Sequence, residues 1–253
     1  MLEHIDLTKH TSREEYKRQL PELHSQVYEQ EKAVFERAIP VCILFEGWAA
    51  ADKGSTIRVL TSRLDPRGFR VVPISSAKPH EQGFPWLHRF WLTLPNYGQL
   101  AIFHQSWYRR VLIERVEKRI SKREWKQAFN DIRDFERTLA DDGMVIIKFF
   151  LHISKKEQAK RFRKLLADPI TAWQVNEEER FQQKHYDKYL EAIEEMLGQT
   201  EAEWAPWTIV EATDRDHTRI KVLQTIIDSL TAAVESHDKK KPRSKKPVRT
   251  KDA

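Results

Sequence analysis

An α/β protein built on a parallel sheet with helices on both faces is the fold class this sequence predicts, on three observations. Five short apolar, β-branched runs have the length of buried strands: Val41–Glu46, Phe69–Ser75, Gln99–His104, Met144–Ile153 and Trp207–Ala212. Stretches of helical spacing separate them, and strands that alternate with helices imply parallel crossovers. The first strand runs into "EGWAAADKGSTI", which sets Gly47, Lys53, Gly54, Ser55 and Thr56 on a strand–loop–helix joint. Such a joint cradles phosphate through converging backbone N–H groups, a lysine and hydroxyls.

In chain order, Ser12 with Glu15 makes a capping-box pattern that opens an amphipathic helical region, interrupted at Pro21. The first strand, the loop and a helix through "STIRVLTSRL" follow. The second strand leads into the polar stretch "PISSAKPHEQGFP" and an aromatic helix "WLHRFWLTL". After the third strand the spacing predicts helices from about Ser106 to Lys118 and from Lys122 to Asp141, the latter ended by "DDG". Ser154 with Glu157 caps the helix that follows the fourth strand. "DPITAWQVNEEER" breaks the helical pattern, a helix resumes from about Phe181 to Leu197, and "RIKVLQTIIDSLTAAV" follows the last strand. The chain thus divides into an N-terminal helical extension (1–38), an α/β domain (39–236) and a basic tail (237–253). Ligands of such sheets bind beyond the carboxyl ends of the strands. That places Gly47 to Thr56, His104 to Arg110 and the loop after Ala212 on a common edge.

Composition bounds the rest. With 253 residues, 40% of them hydrophobic, the chain buries one sizeable core. Its single cysteine, Cys42, falls in the first strand, which excludes a disulfide framework and suits a small buried residue in a reducing cytoplasm. No apolar run approaches the roughly 20 residues that span a bilayer, and "MLEHIDLTKH" lacks the apolar core of a signal peptide, so a cytoplasmic location is expected. The formal charge of +6 is local: residues 238–253 hold eight Lys and Arg against two Asp, which leaves 36 basic and 36 acidic residues elsewhere. So Lys/Pro-rich a segment is expected to be disordered, either as a solubilising tail or as a salt-sensitive holder of polyanions.

The loop departs from the strict pattern G-x-x-x-x-G-K-[ST]: Asp52 stands in the place of the second glycine, and Ala49 to Ala51 bring no polar side chain. Alone, the stretch reads equally as an ordinary strand-to-helix turn with a surface lysine. In the order "EGWAAADKGSTI", "LDPRGFRVVPI", "FPWLHRFW", "IFHQSWYRRVLIERV", "FERTLADDGMVIIKFFLHISKKEQAKRF", "DPITAWQV" and "APWTIVEATD", the chain resembles the polyphosphate kinase 2 family, within it the polyphosphate:AMP phosphotransferase branch. The resemblance runs from about Glu31 to Ser236. It implies a thymidylate-kinase-like P-loop fold with a helical lid at about 168–182, and phosphoryl transfer between inorganic polyphosphate and a nucleotide, assisted by Mg²⁺ or Mn²⁺. It further implies phosphate or nucleotide binding by Gly47, Lys53, Gly54, Ser55, Thr56, Arg115 and Arg161, catalysis by Lys53 and Arg110, and assembly as a homo-oligomer or with an active family member.

The departures share one direction. The family loop reads G-x-D-x-x-G-K-G-[GST]-T, and Ala49 and Asp52 replace its acid and its inner glycine. The second motif, F-D-R-S-W-Y-x-R, survives at Phe103, Ser106, Trp107, Tyr108 and Arg110, whereas His104 and Gln105 replace its Asp and Arg. In the lid, Trp173 is followed by Gln174 and Asn176 in place of a Lys or Arg and a hydroxyl residue. Phosphoryl transfer needs placed cations and metal-holding carboxylates more than covalent chemistry. The expectation is a degenerate transfer site kept for binding nucleotide or polyphosphate, or for regulating an active relative. Two readings stand beside it: an active phosphotransferase whose metal site is rearranged around Asp52 and His104, and a polyanion binder run by the tail.

Overall fold

The computed structural model describes residues 2–240. Residues 241–253, which hold most of the basic tail expected to be disordered, lie outside the described residues.

Among the described residues the core is a five-stranded, all-parallel sheet in the order β2-β3-β1-β4-β5. Its strands are β1 (Val41–Gly47), β2 (Phe69–Pro73), β3 (Leu100–His104), β4 (Val145–His152) and β5 (Trp207–Glu211). Each predicted strand is present to within two residues at either end. Val41 to Phe45 and Leu100 to Phe103 are wholly buried, which explains why these runs are continuously apolar rather than alternating. β2 forms one edge and is partly exposed, so it tolerates Arg70 and Pro73.

Helices flank the sheet. α1 (Arg13–Glu36) and α2 (Lys53–Thr61) pack against α9 (Arg215–Lys240), while α4 (Ile113–Val116) and α5 (Lys122–Asp141) pack against α8 (Tyr186–Thr200). α6 (Lys155–Ala167) contacts α7 (Glu177–Lys184), and α3 is the short turn His88–Trp91. In the sheet register Phe45 lies beside His104, Gly47 beside Leu151 and His152 beside Glu211. The carboxyl ends of β1, β3, β4 and β5 therefore share one edge, and the loops that leave them meet there.

Four helical expectations are corrected. α1 runs through Pro21 without a break; Pro21 and Lys17 are exposed, so the Lys17 carbonyl that loses its partner is solvated instead. Between Pro85 and Pro95 the aromatic stretch holds only α3, flanked by single turns such as Thr93 N–H to Phe90 O. Residues 106–118 form a 3₁₀ turn at Trp107–Arg110 and then α4, because Trp107, Tyr108 and Arg109 are all buried, three successive inward side chains that one α-helical stripe cannot supply. The helix placed at 181–197 begins earlier, at the Asn176 cap, and breaks at His185 into α7 and α8. The tail boundary also shifts: α9 continues to Lys240, and Asp238 accepts from Arg37 Nε and Nη2 at 2.9 and 2.8 Å.

Candidate phosphate-binding site

The loop begins at Gly47, whose φ is +140° and where a Cβ would fall 2.5 Å from the Leu151 carbonyl oxygen. Only glycine lets β1 pass β4 there. Two further turns of left-handed backbone follow, at Ala50 (φ 60°) and Asp52 (φ 65°). Position 52 thus has the conformation that favours glycine, and aspartate is among the residues that tolerate it. Lys53 opens α2 and is buried; its Nζ donates to the carbonyls of Gly47 (3.0 Å) and Trp48 (2.9 Å). Burial pulls its pKa down, with the nearby Glu46 and Glu179 acting in the opposite direction. Ser55 Oγ donates to the Asp52 carbonyl at 3.2 Å, and the Thr56 N–H reaches the same oxygen at 3.0 Å.

The Asp52 carboxylate turns to two arginines. Arg161 Nη1 donates to Oδ2 at 3.2 Å, Arg215 Nε donates to the same atom, and Arg215 Nη2 donates to Oδ1 at 3.3 Å. α7 closes the other side of the loop. Ala49 N–H donates to Gln182 Oε1 at 2.7 Å, and Gln158 Nε2 bridges the Ala49 carbonyl and Gln182. Arg109 is held by Glu178 at 2.8 and 2.9 Å and donates to Gln105 Oε1 at 2.6 Å. Burial opposes its charge, but Glu178 outweighs burial and its pKa is raised. His104 faces Gly54, with Nε2 4.0 Å from where a Cβ would be. Burial, then the charge of Lys53, lowers its pKa to about 4, so the imidazole is neutral at pH 7. Glu46, the penultimate residue of β1, is 3% exposed and accepts from Ser106 Oγ at 2.7 Å; burial raises its pKa.

Most of these groups line one cavity of about 740 Å³; Glu46, Arg109 and Gln158 are not among its lining residues. Of the predicted positions, Gly47, Ala49, Asp52, Lys53, Gly54, Ser55, His104, Gln105, Arg161 and Gln174 line it. Thr56 lies buried in the first turn of α2. Arg110 and Arg115 do not line it. Arg110 pairs with Glu114 (2.9 Å) and Glu124 (3.2 Å) over Trp86, in a separate pocket of about 370 Å³. Arg115 pairs with Glu195 at 2.6 Å and stacks 3.9 Å from the centroid of the Trp125 ring. From the 3₁₀ turn at 107–110 it is Arg109, not Arg110, that pairs with residues of the cavity wall, Gln105 and Glu178.

Sequence reasoning missed Arg109, Arg215, Glu178, Gln182 and Glu46. Glu46 left a signal, an acid closing an otherwise apolar strand. Arg109 left a weaker one as the second arginine of "YRR". Glu178 and Gln182 fall in the stretch marked by resemblance as a lid but were not singled out there, and Arg215 reaches the loop from a distant segment with no local mark.

The donor set does not complete a magnesium site. Mg²⁺ takes oxygen ligands, commonly one or two carboxylates with water and phosphate. Asp52 is taken by two guanidinium groups, Glu178 by Arg109, and Glu179 accepts from the Asn176 N–H at 3.0 Å. Glu46 is covered by Ser106, and positions 49 and 104 offer a methyl group and an imidazole. Among the described residues no group of three or more His, Cys, Asp or Glu converges as a metal cage.

A comparison with protein families matches residues 10–240 to Polyphosphate kinase 2. The chain belongs to the polyphosphate kinase 2 family. It is 37% identical over 241 residues to a polyphosphate:AMP phosphotransferase of Pseudomonas syringae pv. tomato, covering 95% of this chain and 48% of the relative. A second enzyme of that name, from Pseudomonas aeruginosa, is 37% identical and is covered over 47% of its length. The chain thus spans about half the length of these curated relatives. The crystal structure of polyphosphate kinase 2 from Arthrobacter aurescens TC1 superposes with a TM-score of 0.87 at 26% identity, over 92% of this chain and 85% of that one. The cavity at the sheet edge is accordingly set in the fold of a phosphotransferase family.

Proposed function

We propose that this chain binds a phosphate chain, of polyphosphate or of a nucleotide, at residues 47–56, and that its phosphoryl transfer is strongly attenuated. The observation that carries the reading is the split between the two kinds of charge. Lys53, Arg161 and Arg215 remain around the loop, whereas Ala49 and a neutral His104 occupy the family's carboxylate positions. Binding needs the cations; transfer also needs metal-holding oxygens and charge balance in the transition state. The relatives named above are phosphotransferases; the attenuation follows from residues particular to this chain. Their name makes AMP the nucleotide of first choice.

Each cation has a role in such a site. Lys53 exchanges its loop carbonyls for a phosphate oxygen, Arg161 and Arg215 face the next phosphate, and Arg109 rests on Glu178 until an anion competes for it. Assembly with a second copy or an active relative, polyanion binding by residues 241–253 and a cytoplasmic location belong to the same proposal. Among the described residues no helix is long and apolar enough to cross a membrane. Deletion tests of the tail belong after Lys240, since Asp238 is paired with Arg37.

The test is ADP and ATP formation from AMP or ADP with long-chain polyphosphate and Mg²⁺ or Mn²⁺, for the wild-type chain beside Lys53→Ala. The expected result is tripolyphosphate binding by the wild type, weakened in Lys53→Ala, with little turnover in either. Brisk turnover that Lys53→Ala abolishes would establish instead a rearranged, working metal site around Asp52 and the nearby glutamates.

A further inference from the structure

Resting on the reading of the loop as an anion site, we infer that Asp52 is a built-in competitor for phosphate: its carboxylate holds the seat of one phosphoryl group and sets which anions enter. Three N–H donors converge on that carboxylate, Arg161 Nη1 and Arg215 Nε on Oδ2 and Arg215 Nη2 on Oδ1. A phosphate offers guanidinium groups the same pair of oxygens as a carboxylate. A donor set that fits the first therefore fits the second.

The Arg161 side of the seat keeps its place without Asp52. Arg161 is anchored separately, by Nε on Glu157 at 2.9 Å, Nη1 on the Ala50 carbonyl at 2.9 Å, and Nη2 on the Ala212 and Thr213 carbonyls at 2.7 and 2.8 Å. Removing the carboxylate leaves one Nη1 hydrogen of Arg161 in place and frees the Nε and Nη2 donors of Arg215, which lines the same cavity, for an incoming anion.

The consequence is selection by length. A lone phosphate must displace a carboxylate tethered one residue before Lys53, so its effective concentration at the seat is high. Exchanging one anion for another there gains little. A linear phosphate chain gains more, because it continues to Arg58 and Lys164, which line the same cavity and form no ion pair among the described residues. Asp52 thus discriminates against orthophosphate and in favour of longer phosphates.

Calorimetric titration of orthophosphate and of tripolyphosphate into the full chain tests this, with wild type, Asp52→Asn and Asp52→Asn/Arg215→Gln. Asparagine accepts the left-handed backbone and nearly the same volume while removing the charge. The orthophosphate Kd is expected to fall about tenfold or more in Asp52→Asn, the scale of one charge-assisted contact. The tripolyphosphate Kd should fall less, and the double variant should lose the gain. Unchanged orthophosphate affinity in a folded Asp52→Asn, with tripolyphosphate still bound, would overturn this inference alone, as would an equal gain in the double variant. No tripolyphosphate binding by either wild type or Asp52→Asn would overturn the anion-site reading and this inference together.

Discussion

His104 and His152 sit at the carboxyl ends of β3 and β4, and burial brings each pKa to about 4, with Lys53 adding to the effect at His104. In the unfolded chain both titrate near their ordinary value of about 6.5. Between those values the unfolded state binds protons that the native state does not. Stability from these residues is therefore fully present above about pH 6.5 and is lost as pH falls toward 4, by up to about 3 kcal/mol for each. Trp48 Nε1 donates to His152 Nδ1 at 2.9 Å, so protonation there also breaks a buried hydrogen bond. Urea unfolding at pH 7.5 and pH 5 should show a fall in stability for the wild type and a smaller fall for His104→Gln; equal falls would place the titration elsewhere. Gly47 makes a second residue-scale prediction. Its φ of +140° and the 2.5 Å approach to the Leu151 carbonyl mean that Gly47→Ala should cost about 3 kcal/mol or more, read as a lower thermal midpoint. Gly47 and His104 sit at positions the sequence already marked and His152 does not; the strain at Gly47 depends on β4 as a neighbour, which the sequence does not print.

Among the elements, α1 carries the clearest conflict between local preference and tertiary packing. Pro21 is the ninth residue of a 24-residue helix, where proline ordinarily costs about 3 kcal/mol relative to alanine. Packing along α9 and the burial of Tyr16, Leu23, Val27 and Val34 override that cost, so sequence reading placed a break where none exists. Pro21→Ala should raise the thermal midpoint by several degrees, at 2–4 °C per kcal/mol for a chain of about this size; an unchanged midpoint would mean that the exposed Lys17 carbonyl and ring already sit at no cost. The strands were legible because a doubly covered parallel strand must be continuously apolar, a local property. The 3₁₀ turn at 107–110 was not, because it follows from three side chains buried against different neighbours. The lid expected at about 168–182 overlaps α7 (Glu177–Lys184), but no local pattern marked the partners of α7. Its Glu178 holds the buried Arg109, and Glu178→Gln leaves that guanidinium short of its counter-charge. A loss of about 3 kcal/mol is expected from an unbalanced buried charge, measured by denaturant midpoint; a loss below 1 kcal/mol would show that Gln105 alone suffices for Arg109.

For the whole molecule, the question is whether a fold kept intact also keeps the machine. The sheet brings Gly47, Lys53, His104 and Arg161 to one edge, and on the function proposed above substitution has touched the charged groups rather than the scaffold. Ala49 lies on the loop with its N–H on Gln182, so Ala49→Asp puts a carboxylate at the cavity wall. Asp52→Gly removes a carboxylate from Arg161 and Arg215 and relieves the left-handed backbone. His104→Asp replaces a neutral imidazole beside Lys53 with an anion, and Gln105→Arg adds a third guanidinium near Glu178, after Arg109 and Arg119. Each change alone restores part of a charge pattern whose members act together, so single reversions should do little. The quadruple variant should form ADP from AMP, long-chain polyphosphate and Mg²⁺ at least about 100-fold faster than the wild type, the scale of one electrostatic stabiliser. A folded quadruple variant that binds tripolyphosphate yet turns over no faster would locate the remaining loss in Gln174, Asn176 and the segment that carries them. The same assay on a wild type that already turns over briskly would show that the guanidinium-bound Asp52 and the glutamates around it suffice, and that the family's usual carboxylates are one solution among others.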